Sequence, residues 1–428
     1  MDSKNGQRNK LKPTLGLFDA TAISVGAIVG AGIFVVTGIT AGYAGSALVV
    51  SMLIAAVVSL FTALSFAELT ALIPKEGSVY EFGYQLISPF AGFSAGWMWM
   101  LSNTFSGAAV SLGFAYYLTN LFPALPATWV AAALCLAFTA LNYFGIRQSA
   151  LLNNILVTAK LLILAFFCVL GLVYVNTSNY VPFSPFQSGV LVGAFYIFFA
   201  YGGFGRVAVV AEEVKDAKRN VPRAILLSLA ISTIFYIAVG TIAVGLVGPH
   251  NLSNSRSPLA EATSVTGSSF AVSIVSLGGL LATASVLLTS VLGVSRMAYA
   301  MARGDDLPTP LAKLHTKYNT PHVSVWIAGV IMALLVLLID LSSVVAISTF
   351  AMLFYYTSAN VSALRLRKEQ RLYSSLVPIL GVATCLALLV VILFISPQAW
   401  IVGVAGLIAG AIYYFAKQKF TSKNAVSP

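Results

Sequence analysis

Long apolar stretches dominate this 428-residue chain, and short polar interruptions separate them. The apolar runs are too long for strands and do not alternate, so they predict helices and argue against a barrel. About twenty apolar residues suffice for a helix to cross the hydrocarbon core of a bilayer. About twelve such spans are expected on this criterion, at 15–42, 46–72, 89–119, 126–144, 151–175, 188–211, 223–248, 269–302, 322–340, 343–364, 374–395 and 398–416. The longest polar connections, 249–268 and 303–321, suit ordinary loops, and no soluble domain is expected. No small-residue cleavage pattern follows a short apolar core, so no removable signal peptide is expected.

Composition strengthens this reading. Hydrophobic residues make up 59% of the chain and charged residues 9%, against about 25% charged in a soluble domain. So few charges cannot cover a water-facing surface, and lipid is the expected main solvent. The chain therefore reads as an all-α membrane protein. The 24 Lys and Arg residues test the topology, because basic loops stay cytoplasmic. With the N-terminus inside, the polar start (Lys4, Arg8, Lys10, Lys12), the even-numbered connections and the C-terminal tail hold nearly all of them. Those connections carry Lys75, Arg147, Lys215, Lys218, Arg219, Arg223, Arg303, Lys313, Lys317, Arg365, Arg367, Lys368 and Arg371, and the tail carries Lys417, Lys419 and Lys423. Arg256 alone falls in an outer loop, while Lys160, Arg206 and Arg296 fall within spans. Both termini are thus expected in the cytoplasm, with the chain in the plasma membrane. The net charge of +11 is accounted for by topology, so no nucleic-acid partner is expected. Cys135, Cys168 and Cys385 lie within apolar spans and suggest neither a disulfide framework nor a metal site. His250, His315 and His322 read as ordinary surface histidines.

Two glycine clusters carry the functional signal. Span 1 contains Gly26, Gly30 and Gly32, and span 6 contains Gly202, Gly203 and Gly205, each in mid-span. Each would open a set of five spans, 15–175 and 188–364, of opposite direction across the membrane, with 374–416 supplying two extra helices. An inverted 5+5 repeat with discontinuous helices 1 and 6 follows, and paired glycine-interrupted helices point to a transporter binding site. Lipid cannot satisfy the backbone groups that unwinding frees, so they must line a cavity. A half-helix N-terminus favours an anion and free carbonyls a cation, which suits the zwitterion of an α-amino acid. The alternatives are a GxxxG packing face for Gly26 and Gly30 and a softened kink for Gly202, Gly203 and Gly205.

Lys160 lies about ten residues, roughly 15 Å, inside span 5, too deep to snorkel comfortably. Removal from water disfavours a lysine's charged form, so Lys160 is a candidate to load and release a coupling proton. Its head would bind carbonyls at the break in span 1, such as that of Gly26. The alternative is a fixed cation pinning spans 1 and 5. Arg206 is either a cytoplasmic gate or an arginine pairing near that mouth, where Glu212 follows. Arg296 is expected at the inner end of span 8, and Glu68 reads as structural at the inner end of span 2. Asn103 is either a pocket group or a helix–helix hydrogen bonder. Thr289 and Ser290 either mimic a cation site or bond their own helix backbone.

These residues sit in runs that resemble the amino acid–polyamine–organocation (APC) transporters. Gly26-Ala-Ile-Val-Gly-Ala-Gly-Ile-Phe34 is similar to the family's first-helix signature. Phe199-Ala-Tyr-Gly-Gly-Phe204 and the stretch from Glu212 to Ile225 resemble its sixth helix and following loop. Lys160-Leu-Leu-Ile-Leu164 resembles its fifth-helix lysine segment, and the stretch from Ser295 to Pro308 its eighth-helix ending. The resemblance implies the LeuT-like inverted-repeat fold and alternating access. It implies a substrate carboxylate on the amides of Gly30, Ala31 and Gly32, and an ammonium on carbonyls of Ala27, Ile28, Phe199 and Ala200. It also implies Gly203 in the site and Phe204 as an aromatic lid. Many members carry Glu or Asp where this chain has Gly205. An archaeal proton-coupled, broad-specificity member is similar to the chain there and at Lys160, which implies proton symport of neutral amino acids. No cofactor beyond the coupling proton and no metal is expected. The alternatives are an amino acid exchanger with Lys160 as a fixed cation and a transporter-like amino acid sensor. A membrane enzyme would need clustered intramembrane carboxylates, histidines or metal ligands, which the spans lack. Neither the amino acid side chain nor the oligomeric state is legible.

Overall fold

A computed structural model describes residues 14–74, 77–145 and 150–424. The basic residues Lys4, Arg8, Lys10, Lys12, Lys75 and Arg147 lie outside the described residues, as do the side chains of Glu212 and Lys423. In chain order the helices are α1 (Leu17–Ile28), α2 (Thr37–Ala44), α3 (Leu48–Leu72), α4 (Val79–Leu86), α5 (Pro89–Leu121), α6 (Ala127–Tyr143), α7 (Ala150–Leu172) and α8 (Ser188–Tyr201). They continue with α9 (Arg206–Val209), α10 (Ala217–Asn254), α11 (Pro258–Ser264), α12 (Ser269–Arg303), α13 (His322–Leu338), α14 (Leu341–Leu364), α15 (Leu376–Ile395) and α16 (Pro397–Asn424).

Among the described residues, eight helical stretches are long and apolar enough to cross a membrane. The first of them, Leu17–Leu72, holds two of the expected spans, and Ala127–Tyr143 and His322–Leu338 are shorter apolar helices. Helix α5 is 33 residues long but less apolar, since Ser94, Ser102, Asn103, Thr104 and Ser111 lie along it and are all buried. Expected and observed limits agree within three residues except at both ends of α10 and the end of α16. Hydropathy marks the apolar part of a helix, whereas α10 begins in a charged turn and continues past Gly248, where φ is 75° and Pro249 follows. Of the connections expected to be plain loops, 249–268 contains a helix, α11, and a further helix, α4, lies between the second and third spans.

Helix starts follow local chemistry. Ser88 accepts the Ala91 N–H at the head of α5, with Pro89 in the first turn. Ser268 does the same for α12 through Ala271, and Asp340 for α14 through Ser343. Helix α7 illustrates how a span apolar on every side is used. Val157, Lys160, Leu164, Phe167 and Gly171 form its buried stripe at i, i+3, i+4 spacing. Leu151, Leu162 and Val169 on the other face are exposed, as suits contact with acyl chains. Helix α3 packs on α10, α5 on α12, and α6 on α13. These pairs are matched in length for α5 and α12, at 33 and 35 residues, and for α6 and α13, at 17 each.

Candidate functional site: two broken helices around a polar cavity

The first apolar stretch does not wind continuously. Helix α1 ends at Ile28, Val29 turns out at φ −75°, ψ 85°, and the chain resumes in a π-helical turn over Gly32–Val36. Helix α8 ends at Tyr201; Gly202 is extended at ψ 136°, and Gly203 has φ 122° before α9 begins. That φ favours glycine at 203. The other glycines serve close approach. A Cβ on Gly32 would stand 2.3 Å from Ala200 Cα, and one on Gly203 2.8 Å from the Ala27 carbonyl. The two breaks therefore cross in direct contact. Gly26 and Gly30 receive the side chains of Val157 and Val286, where a Cβ would come within 2.7 Å, so they also serve packing. The chain ahead of α1 and the chain behind α9 are tied as well, by Leu15 N–H to Glu213 O at 3.0 Å and Lys215 N–H to Leu15 O at 2.9 Å.

The freed carbonyls find partners of two kinds. The Tyr236 hydroxyl, on α10, lies 2.8 Å from Ile28 O and 3.0 Å from Ala200 O and so bridges the two breaks. Each of those carbonyls keeps a second lone pair. Lys160, only 1% exposed, donates to Gly26 O at 3.2 Å and Val29 O at 3.3 Å. Its third partner is Ser285 Oγ on α12. The sequence directed attention to Thr289 and Ser290 on this helix, and the contact is instead made one turn earlier. Thr289 bonds the backbone of its own helix at Ser285 and Val286, and Ser290 faces Arg206. On the other side of the break, the N–H groups of Ala31 and Gly32 open the resumed helix, where intrahelical acceptors are lacking.

A cavity of about 50 Å³ lies between the breaks, α5 and α14. Ala27, Ile28, Gly30, Ala31, Gly32, Phe199 and Gly203 line it, as do Gly205, Arg206 and Asn103. Ala200 and Phe204 are not among its lining residues. Phe204 is fully buried, stacked on Tyr356 with centroids 5.0 Å apart and set edge-on to Phe66. Its ring thus packs against Phe66 and Tyr356, both of which line the cavity, and is not itself part of the lining, where a lid was expected. The aromatic wall comes from Phe66, Trp99, Phe199, Tyr355 and Tyr356. Ser102, Ser106, Ser348 and Met352 also line the cavity, and none was singled out from sequence. The only signal of the serines was polarity: Ser102 and Ser348 share reciprocal hydrogen bonds between α5 and α14 at 2.9 and 2.8 Å. Arg206 reaches inward. Its Nη2 donates to Asn103 Oδ1 at 3.0 Å and Ser290 Oγ at 3.4 Å, so Asn103 is both a cavity residue and a helix-to-helix link.

A second cavity of about 500 Å³ adjoins the first, sharing Trp99 and Val209. Arg296 lines it together with Glu213, Tyr299 and Arg303, at the end of the bundle where α9 and α12 finish. Beside it the Tyr80 hydroxyl donates to Asp306 Oδ2 at 2.7 Å, and Lys417 on α16 donates to the carbonyls of Asp305 and Leu307. Burial pushes the Asp306 carboxyl above its usual range, while Tyr80 and Lys417 pull it back. Tyr80 is itself pushed up, by burial first and then by Asp306. Glu68 is structural: its Oε1 accepts the N–H groups of Leu372 and Tyr373, fastening α3 to the end of the α14–α15 connection.

Buried helix breaks facing a polar cavity in a multi-pass helical membrane protein define a permease. The amino acid permease family profile matches residues 15–415, and the chain belongs to that family, one of permeases and not of enzymes. Its relatives include the branched-chain amino acid permease BcaP of Bacillus subtilis, 32% identical over 96% of this chain and 94% of that protein. The methylthioribose transporter of Bacillus subtilis is 30% identical, over 96% and 95%. The cationic amino acid transporter 4 of Mus musculus is 33% identical over 86% of this chain and 62% of that protein.

Proposed function

We propose that the protein is a proton-coupled amino acid symporter of the plasma membrane, working by alternating access through twelve spans with both termini in the cytoplasm. The observation that carries this reading is the crossing of two broken helices, with Lys160 holding the carbonyl end of one break. The amides of Gly30, Ala31 and Gly32 would take the substrate carboxylate. The second lone pairs of Ile28 O and Ala200 O, with Ala27 O and Phe199 O, would take the ammonium. Lys160 would carry the coupling proton, and Gly26 and Val29 would feel its charge through their carbonyls. A relative named for branched-chain amino acids over nearly the same length supports the substrate class. An inverted repeat of 15–175 and 188–364, with 374–416 appended, is supported by the pairing of α3 with α10, α5 with α12 and α6 with α13. Helices that lie beside a two-fold axis in the membrane plane meet their own counterparts across it, as these three pairs do.

Uptake of a panel of labelled amino acids by reconstituted protein, with and without an inward proton gradient, tests this. Concentrative uptake that needs the gradient is the expected result; uptake of no amino acid overturns the reading. A second reading, exchange of amino acids with Lys160 as a fixed cation, is favoured by the match between three ammonium donors and the three acceptors around Nζ. It gives counterflow without gradient-driven accumulation.

A further inference from the structure

We propose that Arg206 sets the charge class of the substrate, so that this site takes amino acids with neutral or acidic side chains and rejects cationic ones. The inference rests on the amino acid reading above and adds to it the side-chain chemistry. Arg206 lines the central cavity, and among the described residues its guanidinium donates to neutral oxygens, those of Asn103 and Ser290. Among the described residues no carboxylate pairs with it, and no Asp or Glu lines that cavity. Gly205 beside it has no side chain, and a Cβ there would already stand 3.0 Å from the Phe66 ring. A counter-ion at that position would therefore have to displace Phe66.

An arginine does not shed its proton in a protein, so Arg206 brings a permanent positive charge to the cavity wall. Lys160, across the break in α1, adds a second whenever it is protonated. A partly buried guanidinium whose described partners are all neutral is costly, and a substrate acceptor or carboxylate relieves that cost whereas an ammonium or guanidinium side chain adds to it. A cavity of about 50 Å³ leaves an entering side chain little room to retreat. At roughly 7 Å and an effective dielectric of about 20, repulsion between two unit charges corresponds to roughly 50-fold in affinity. The family relatives span both classes by name, branched-chain and cationic, so membership of the family does not by itself fix the charge class.

The test is competition against uptake of the neutral amino acid that the reconstituted protein carries best. Two competitors are used: the unlabelled neutral amino acid and a cationic analogue of matched length, lysine for norleucine or 2,4-diaminobutyrate for 2-aminobutyrate. The wild type is expected to favour the neutral member by roughly 50-fold, Arg206→Gln to shrink that ratio several-fold, and Arg206→Glu to favour the cationic member. A wild-type ratio near one, or a cationic amino acid as the best substrate, overturns the proposal without touching the transporter reading. So does an Arg206→Gln protein that binds both members equally more weakly at an unchanged ratio, the signature of a gate. If no amino acid is carried at all, the transporter reading fails instead. The wild-type ratio needs no variant to fold.

Discussion

Protonated Lys160 has three N–H donors, and three acceptors surround it: Gly26 O, Val29 O and Ser285 Oγ. A neutral amine has two donors and one lone pair, so loss of the proton either leaves one acceptor unserved or turns the Ser285 hydroxyl from Ala282 O to donate to Nζ, and in both cases removes the charge from the contacts. A hydrogen bond to a charged group contributes about 1.5–3 kcal/mol, which is roughly 10- to 150-fold in an equilibrium between conformations. Because two of the three acceptors belong to the break in α1, that energy acts on the joint between α1 and α2 and on the contact with α12. Lys160→Met keeps much of the length of the side chain and removes the switch. In proteoliposomes made acidic outside and neutral inside, the wild type is expected to concentrate substrate, whereas Lys160→Met only equilibrates it and still performs counterflow. A Lys160→Met protein that concentrates substrate as the wild type does refutes the reasoning. So would a wild type whose initial rate ignores the gradient.

Two other substitutions probe the surroundings. Gly32→Ala inserts a methyl 2.3 Å from Ala200 Cα, which forces the two breaks apart; overpacking of this kind costs about 1–3 kcal/mol or more, and the expected outcome is a lower Tm together with at least tenfold weaker substrate binding, whereas unchanged binding would mean that the crossing does not form the site. Tyr80→Phe leaves the Asp306 carboxylate without its hydroxyl donor, a loss of about 1–2 kcal/mol. Tyr80 stabilises the ionised form, so its contribution is present above the raised titration of Asp306 and fades as pH falls through it. The Tm difference from wild type is therefore expected to shrink on acidification, and one that grows in acid would contradict the assignment.

Much was legible in the residues alone because the strongest constraints act locally. Lipid admits only helices whose backbone is internally satisfied, so the apolar runs gave the helices to within a few residues. A glycine cluster in mid-span marks where a helix can open, and both openings lie within those clusters, at Val29–Gly30 and at Gly202–Gly205. A lysine deep in an apolar span must meet acceptors, and Gly26 O is among them.

What the tertiary structure alone decided is which side of each helix faces which neighbour. A soluble helix reveals its inner face by an apolar stripe, but a span in lipid is apolar on all sides, and α14, with Ser348, Met352, Tyr355 and Tyr356 on the cavity, carried no such mark. The same ambiguity hid Tyr236, which joins carbonyls of α1 and α8 from α10, and Ser285, which meets Lys160 where Thr289 and Ser290 had drawn attention. It set Phe204 against Phe66 and Tyr356, which line the cavity in its place, and turned Arg206 inward to Asn103. These contacts join residues many positions apart, and their geometry is set by how whole helices pack, which no local pattern of side chains encodes.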